Sequence, residues 1–153
     1  MKSVSIIYGS SSGNTKDVAR AIESKLKGFD VSVIDVAKAT VADIEKAPNL
    51  IFGTSTWGFG DLQDDWDSFL PTLAKAKLDG KTVALFGLGD GSSYADTFVD
   101  GIGIIYDTIN SMPCKIIGQT SAQGYSFSES KALQNGAFVG LPLDMDNEDK
   151  QTE

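Results

Sequence analysis

A chain of 153 residues is long enough for one globular domain with a buried core, and its 13 Lys and Arg against 21 Asp and Glu give a net charge of −8, the wrong sign for binding nucleic-acid phosphate. The sequence has no histidine and one cysteine, Cys114, which excludes Ser-His-Asp and Cys-His nucleophiles, His-ligated zinc and an internal disulfide. Any chemistry is therefore expected to come from a bound cofactor. The first strand-like run, VSIIY (4–8), begins so close to Met1 that no signal peptide fits before it, and no apolar run approaches a membrane span, so a cytoplasmic protein is expected.

Four further runs follow: VSVIDV (31–36), LIFGTS (50–55), TVALFGLG (82–89) and KIIGQT (115–120). They are nearly continuous in apolar residues, as strands covered on both faces are. Between them lie helical periodicities: Val18, Ile22 and Leu26; a short one after Thr40 through Val41 and Ile44; Trp66, Phe69, Leu70 and Leu73; and Phe98, Ile102, Ile105 and Ile109. Strands alternating with helices specify an α/β fold whose parallel sheet has right-handed crossovers, with ligands beyond the carboxyl ends of the strands. The stretch TSAQGYSFSESKALQNGA before the next apolar run, FVGLPL (138–143), is too long for a plain connection and reads as an insertion.

The unusual residues sit in three loops at that carboxyl edge. The turn YGSSSGNT (8–15) packs hydroxyls and two glycines between a strand and a helix, a pattern suited to one terminal phosphate or to a Ser-rich helix cap. It lacks the Lys of a nucleotide-triphosphate loop, and no G-x-G-x-x-G follows. TSTWGFGDL (54–62) presents Trp57 between flexible glycines, and GLGDGSSYAD (87–96) presents Tyr94. A lone aromatic is more often packing than platform, but if strands one, three and four are neighbours, both meet the phosphate turn at one edge. A flat aromatic ligand with a phosphate tail fits that arrangement.

With Ser10-Ser11-Ser12-Gly13-Asn14-Thr15, Thr56-Trp57 and the segment from Gly87 to Asp96 in place, the chain resembles the flavodoxins from Lys2 to about Glu148. The segment GYSFSESKALQNGAFVGLPLDMDN (124–147) is similar to the insertion of the long-chain type. The resemblance implies a flavodoxin-like, doubly wound, five-stranded parallel sheet of order 2-1-3-4-5, for which flavodoxin is itself a standard example. It also implies a long insertion in or after strand five, and a single FMN-binding domain over 1–153. FMN would place its phosphate on the Ser10, Ser12 and Thr15 hydroxyls and the amides of Ser11, Ser12, Gly13, Asn14 and Thr15. Its isoalloxazine would lie between Trp57 and Tyr94. Asp90 and the backbones of Thr56, Trp57, Gly58, Phe59, Gly60, Leu88 and Gly89 would reach ribityl and ring polar atoms, and Asp146 the ribityl chain. Ser55 stands where many members have proline, a departure expected to leave that loop less rigid.

Two aromatic faces, a phosphate with no Lys or Arg in its turn, and Asp61, Asp64, Asp65, Asp90, Asp96, Asp144 and Asp146 all oppose an anionic reduced flavin. A non-enzymatic, low-potential one-electron carrier between semiquinone and hydroquinone is expected. Residues 51–153 carry nearly all of the negative charge, at −9 against +1 for residues 1–50, and would steer transient docking of basic redox proteins, such as an NADP reductase or a photosystem-type donor or acceptor. Two alternatives are weaker. A phosphoreceiver lacks its paired acids, and an FMN-dependent reductase acting on a small substrate needs a pocket that flanking aromatics would close. Flavodoxins carry one more helix after the sixth apolar run, whereas this sequence stops at MDNEDKQTE. Open apolar surface beside the first helix, over strands one, three and four, is therefore expected unless further residues or a partner cover it.

Overall fold

A computed structural model of the chain describes residues 2–10, 13–57, 61–89, 97, 99–123 and 127–143. The elements in chain order are β1 (Ser3–Tyr8), α1 (Asn14–Lys25), β2 (Asp30–Asp35), a 3-10 turn (Val36–Lys38), α2 (Val41–Glu45), β3 (Asn49–Trp57), β4 (Asp61–Leu62), α3 (Asp64–Lys75), β5 (Thr82–Leu88), α4 (Asp100–Ile109), β6 (Lys115–Ile117), β7 (Thr120–Ser121), β8 (Leu133–Gln134), β9 (Ala137–Phe138) and β10 (Leu141–Leu143). The periodic runs become the helices. Even the short one is fixed by a capping box, in which the Thr40 N–H donates to Asp43 Oδ2 at 2.9 Å and the Asp43 N–H donates to Thr40 Oγ1 at 3.4 Å. Phe98, the first residue of the fourth periodicity, lies outside the described residues.

β2, β1, β3 and β5 pair in that order, all parallel, from Ser3↔Asp30 through Val4↔Asn49 to Ser55↔Leu88. The fifth place in the sheet is shared. β6 pairs with β5 at Thr82–Ala84 and β10 pairs with it at Phe86–Leu88, so the insertion interrupts strand five instead of following it. The run KIIGQT is accordingly cut short. Gly118 takes a φ of 82°, and Thr120 and Ser121 leave to join a separate antiparallel sheet, β7-β9-β8. The turn of that sheet is Asn135-Gly136, both at positive φ, the pair that a two-residue hairpin favours.

Continuous apolar strands need cover on both sides, and the crossovers provide it. α1 lays Val18 and Ala19 against Val4, Ile6, Phe86 and Leu88 on one face. Ile44 of α2, Trp66, Phe69 and Leu73 of α3, and Ile102, Ile105 and Ile109 of α4 pack against Leu50, Phe52, Val83 and Leu85 on the other. This is the doubly wound arrangement, and it puts the switch in winding direction between β1 and β3. On the α1 face an apolar groove of about 150 Å³ remains, lined chiefly by Val4, Leu26, Ile51, Ala84 and Ile117. Beside this groove Ile117 of β6 is 40% exposed, whereas Val4 and Ile6 of β1 are buried. Nearer the carboxyl edge Phe86, Leu88 and Leu143 are buried.

Candidate functional site at the carboxyl edge of the sheet

β1 ends at Tyr8, and Gly9 still donates its N–H to the carbonyl of Gly53 at 3.0 Å before the chain turns away. Four residues on, Gly13 holds a φ of 97°, accessible at little cost only to glycine, and starts α1. Ser10 Oγ accepts the Gly13 N–H at 2.9 Å, which closes the turn and leaves the hydroxyl proton to point elsewhere. The first helical hydrogen bond runs from Asp17 N–H to the Gly13 carbonyl at 3.0 Å. The amides of Asn14, Thr15 and Lys16 therefore precede the helical ladder and face the turn, at the positive end of the helix dipole. Among the described residues no side chain caps this helix.

β3 supplies the second loop. Its side chains alternate: Leu50 and Phe52 belong to the core on the side of α3 and α4, Ile51 to the core on the side of α1. Thr54 and Thr56 continue the first row, and a Cβ at Gly101 of α4 would lie 3.0 Å from Thr54 Cγ2 and 3.1 Å from Thr56 Oγ1. Thr56 Oγ1 accepts the Gly101 N–H at 2.8 Å, so this hydroxyl positions the end of β3 against α4. Ser55 continues the second row, on the side of α1, one step past the last ladder pair of β1 with β3 and opposite Leu88 of β5. Its Oγ is buried without a hydrogen-bond partner. Trp57 pairs with Asp61 where β3 and β4 run antiparallel. β5 ends at Leu88, and Gly89 donates its N–H to the Leu143 carbonyl at 3.1 Å, so the third loop starts beside β10.

Of the residues expected at the site, Ser10, Gly13, Asn14, Thr15, Thr56, Trp57, Leu88 and Gly89 are brought to one edge of adjacent strands. Ser11, Ser12, Gly58, Phe59, Gly60, Asp90, Tyr94 and Asp146 lie outside the described residues. Sequence reading named Ser55 only as a departure from proline and did not weigh its hydroxyl, which the fold buries without a partner. The signal was there in the serine itself, at an odd position of a strand whose odd positions face α1. Among the described residues no cluster of His, Cys, Asp or Glu is arranged to hold a metal, and no helix is long and apolar enough to cross a membrane. Asp100, at the start of α4, is only 2% exposed. Burial pushes its carboxyl above the ordinary 3.8, while the Lys131 N–H, donated to Oδ1 at 2.7 Å, and the Lys131 charge pull it back and Glu129 pushes it up.

Fold and site together define a doubly wound α/β protein with a glycine-turned helix N-terminus at the switch point of its sheet. A sequence model of the flavodoxin family, described simply as "Flavodoxin", matches residues 6–152, and the chain belongs to that family. A flavodoxin of Buchnera aphidicola (subspecies Baizongia pistaciae) is 46% identical over 154 residues, spanning 99% of this chain and 88% of its own. One from Synechocystis is 41% identical over 154 residues, 100% of this chain and 91% of its own. The crystal structure of Fusobacterium nucleatum flavodoxin bound to flavin mononucleotide superposes with a TM-score of 0.94 at 33% identity, covering 99% of this chain and 90% of that one. Flavodoxins are electron-transfer proteins and not enzymes.

Proposed function

We propose that this chain is a low-potential one-electron carrier that holds FMN non-covalently, as a single FMN-binding domain of the cytoplasm, and serves basic redox partner proteins in transient complexes. One observation carries the reading: the carboxyl ends of β1 and β3 collect hydroxyl and amide donors that have no other acceptor among the described residues. Ser10 Oγ accepts the Gly13 N–H and keeps its own proton to donate, the amides of Asn14, Thr15 and Lys16 precede the helical ladder, and Ser55 Oγ is buried without a partner on the same side of the sheet. An uncompensated hydroxyl in such a place fits a group that completes its hydrogen bonding. The donors Ser10 and Ser55 are neutral, which suits a single phosphate held without magnesium.

FMN supplies one-electron chemistry at its isoalloxazine ring. The protein's part is to bind and to bias. Ser10, Ser12, Thr15, Ser55 and the first-turn amides orient the phosphate, and Trp57 and Tyr94 exclude water from the two faces of the ring. Asp64 and Asp65 at the start of α3, with Asp61, Asp90, Asp96, Asp144 and Asp146, set a negative potential that makes added electrons costly. The testing experiment is fluorescence titration of the flavin-free protein with FMN, followed by a potentiometric titration of the complex. One-to-one binding and two separate one-electron steps, the second below that of free FMN, are expected. No binding, or a single two-electron step, would overturn the reading, and catalytic turnover of quinones by NADPH with this protein alone would replace it with a reductase.

A further inference from the structure

We infer that Trp66, supported by Gln63, is a positioning residue for the phosphate turn, acting through the carbonyl of Gly53. That carbonyl accepts two N–H groups: the backbone amide of Gly9 at 3.0 Å and the indole Nε1 of Trp66 at 2.7 Å. Gly9 is the last residue of the chain tied to β3 before the turn that carries Ser10 and Gly13, so the direction of the Gly53 carbonyl sets where the turn begins. Trp66 is able to fix that direction because it cannot move. It is fully buried, wedged edge-on against Phe52 at 5.4 Å and Phe69 at 5.9 Å between ring centroids, and its backbone N–H donates to Gln63 Oε1 at 3.1 Å. Gln63 is itself buried and donates from Nε2 to Asp65 Oδ2 at 3.0 Å.

The same two side chains form the floor under the turn. A Cβ added to Gly9 would meet Gln63 Oε1 and lie 2.5 Å from Trp66 Cδ1. Gly9 is thus glycine for contact and not for backbone freedom, and the turn rests on the first turn of α3 with no slack. Donors aimed at a phosphate lose much of their effect when displaced by an ångström. A helix on one face of the sheet therefore sets the geometry of an anion site built by the helix on the opposite face.

The inference rests on the reading of this edge as an FMN site, and its test separates the two. Dissociation constants for FMN and for riboflavin, which has the same ring and ribityl chain but no phosphate, are measured on the wild-type protein, Trp66→Phe and Gly9→Ala. The ratio of the two constants reports the phosphate site alone, so global loosening, which weakens both ligands in proportion, leaves it unchanged. Trp66→Phe keeps a buried ring and removes the indole donor, and it should raise the FMN constant about fivefold, the equivalent of one lost hydrogen bond, with that for riboflavin unchanged. Gly9→Ala reaches the same turn from the other side and should lower the ratio further, so a folding failure of either variant leaves the other decisive. A large wild-type ratio that neither variant reduces overturns the role of Trp66 while leaving the phosphate site standing. A wild-type ratio near one overturns the phosphate site and the inference with it.

Discussion

A buried hydroxyl without a partner costs a folded protein about 1–3 kcal/mol, because it gave up water and received nothing. Ser55 Oγ is in that position. Its removal is therefore expected to act with opposite sign on the two forms of the protein. Ser55→Ala should make the flavin-free protein more stable to urea by about 1 kcal/mol and at the same time weaken FMN binding by a similar amount. An apoprotein of lower stability combined with an unchanged FMN affinity would show that the hydroxyl is satisfied within the chain. Asp100 makes a second case. Its folded carboxyl is raised above the unfolded value, so its contribution to stability is most favourable below the unfolded value and declines as pH rises through the folded one. Asp100→Asn keeps an oxygen for the Lys131 N–H and removes the buried charge. It should be at least as stable as wild type at pH 7, and that advantage should shrink as the pH falls into the carboxylate range. Denaturant midpoints across pH 3.5–7 check this, and an advantage that grows on acidification would reverse the assignment.

The first turn of α4 joins more elements than any periodicity suggests. Val99 caps it at a φ of 47°, a costly conformation for a β-branched residue that its complete burial maintains. Asp100 binds the insertion through Lys131, Gly101 binds Thr56 at the end of β3, and Gly103 lets the backbone at Lys131 come close. A Cβ at Gly103 would lie 2.5 Å from the Lys131 carbonyl carbon and 2.8 Å from Ala132 N, both backbone atoms that cannot swing aside. Glycine to alanine inside a helix ordinarily stabilises by about 1 kcal/mol. Here Gly103→Ala should instead destabilise by about 1–3 kcal/mol, as overpacking does. Thermal or urea unfolding decides, and a stabilised variant would mean that the insertion is not seated on α4 as described.

At the scale of the whole molecule, charge and shape act together. The net charge of −8 comes from residues 51–153, which also supply most of β3, all of β5 and β10, and the carboxyl edge to which those strands lead. Association with a basic redox protein should therefore be fast at low ionic strength and slow steeply with added salt, since screened charges lose their reach beyond about 10 Å at 0.1 M. Stopped-flow association rates across salt concentrations test the point. A rate independent of salt would remove electrostatic steering from the account.

The α/β class, the order of elements and the three loops were legible in the sequence, since each depends on residues near one another in the chain. Apolar runs of five to eight, helical spacing and a glycine-serine turn are local signals, and they fixed Ser10, Gly13, Asn14 and Thr15 at the edge without coordinates. Even the hairpin of the insertion was written locally, in Asn135-Gly136. What the sequence left open joins residues far apart along the chain. The split of strand five between Lys115–Ile117 and Leu141–Leu143 is decided by which segments of a long insertion can pair with β5. Trp66 read as part of a helical periodicity and nothing more, and Gln63 and Asp100 carried no signal, because the Gly53 carbonyl, the Trp66 amide and the Lys131 amide that they bond are backbone groups with no side-chain signature. A backbone carbonyl is the same at every position of a chain, so only the tertiary structure decides which one a buried indole will find.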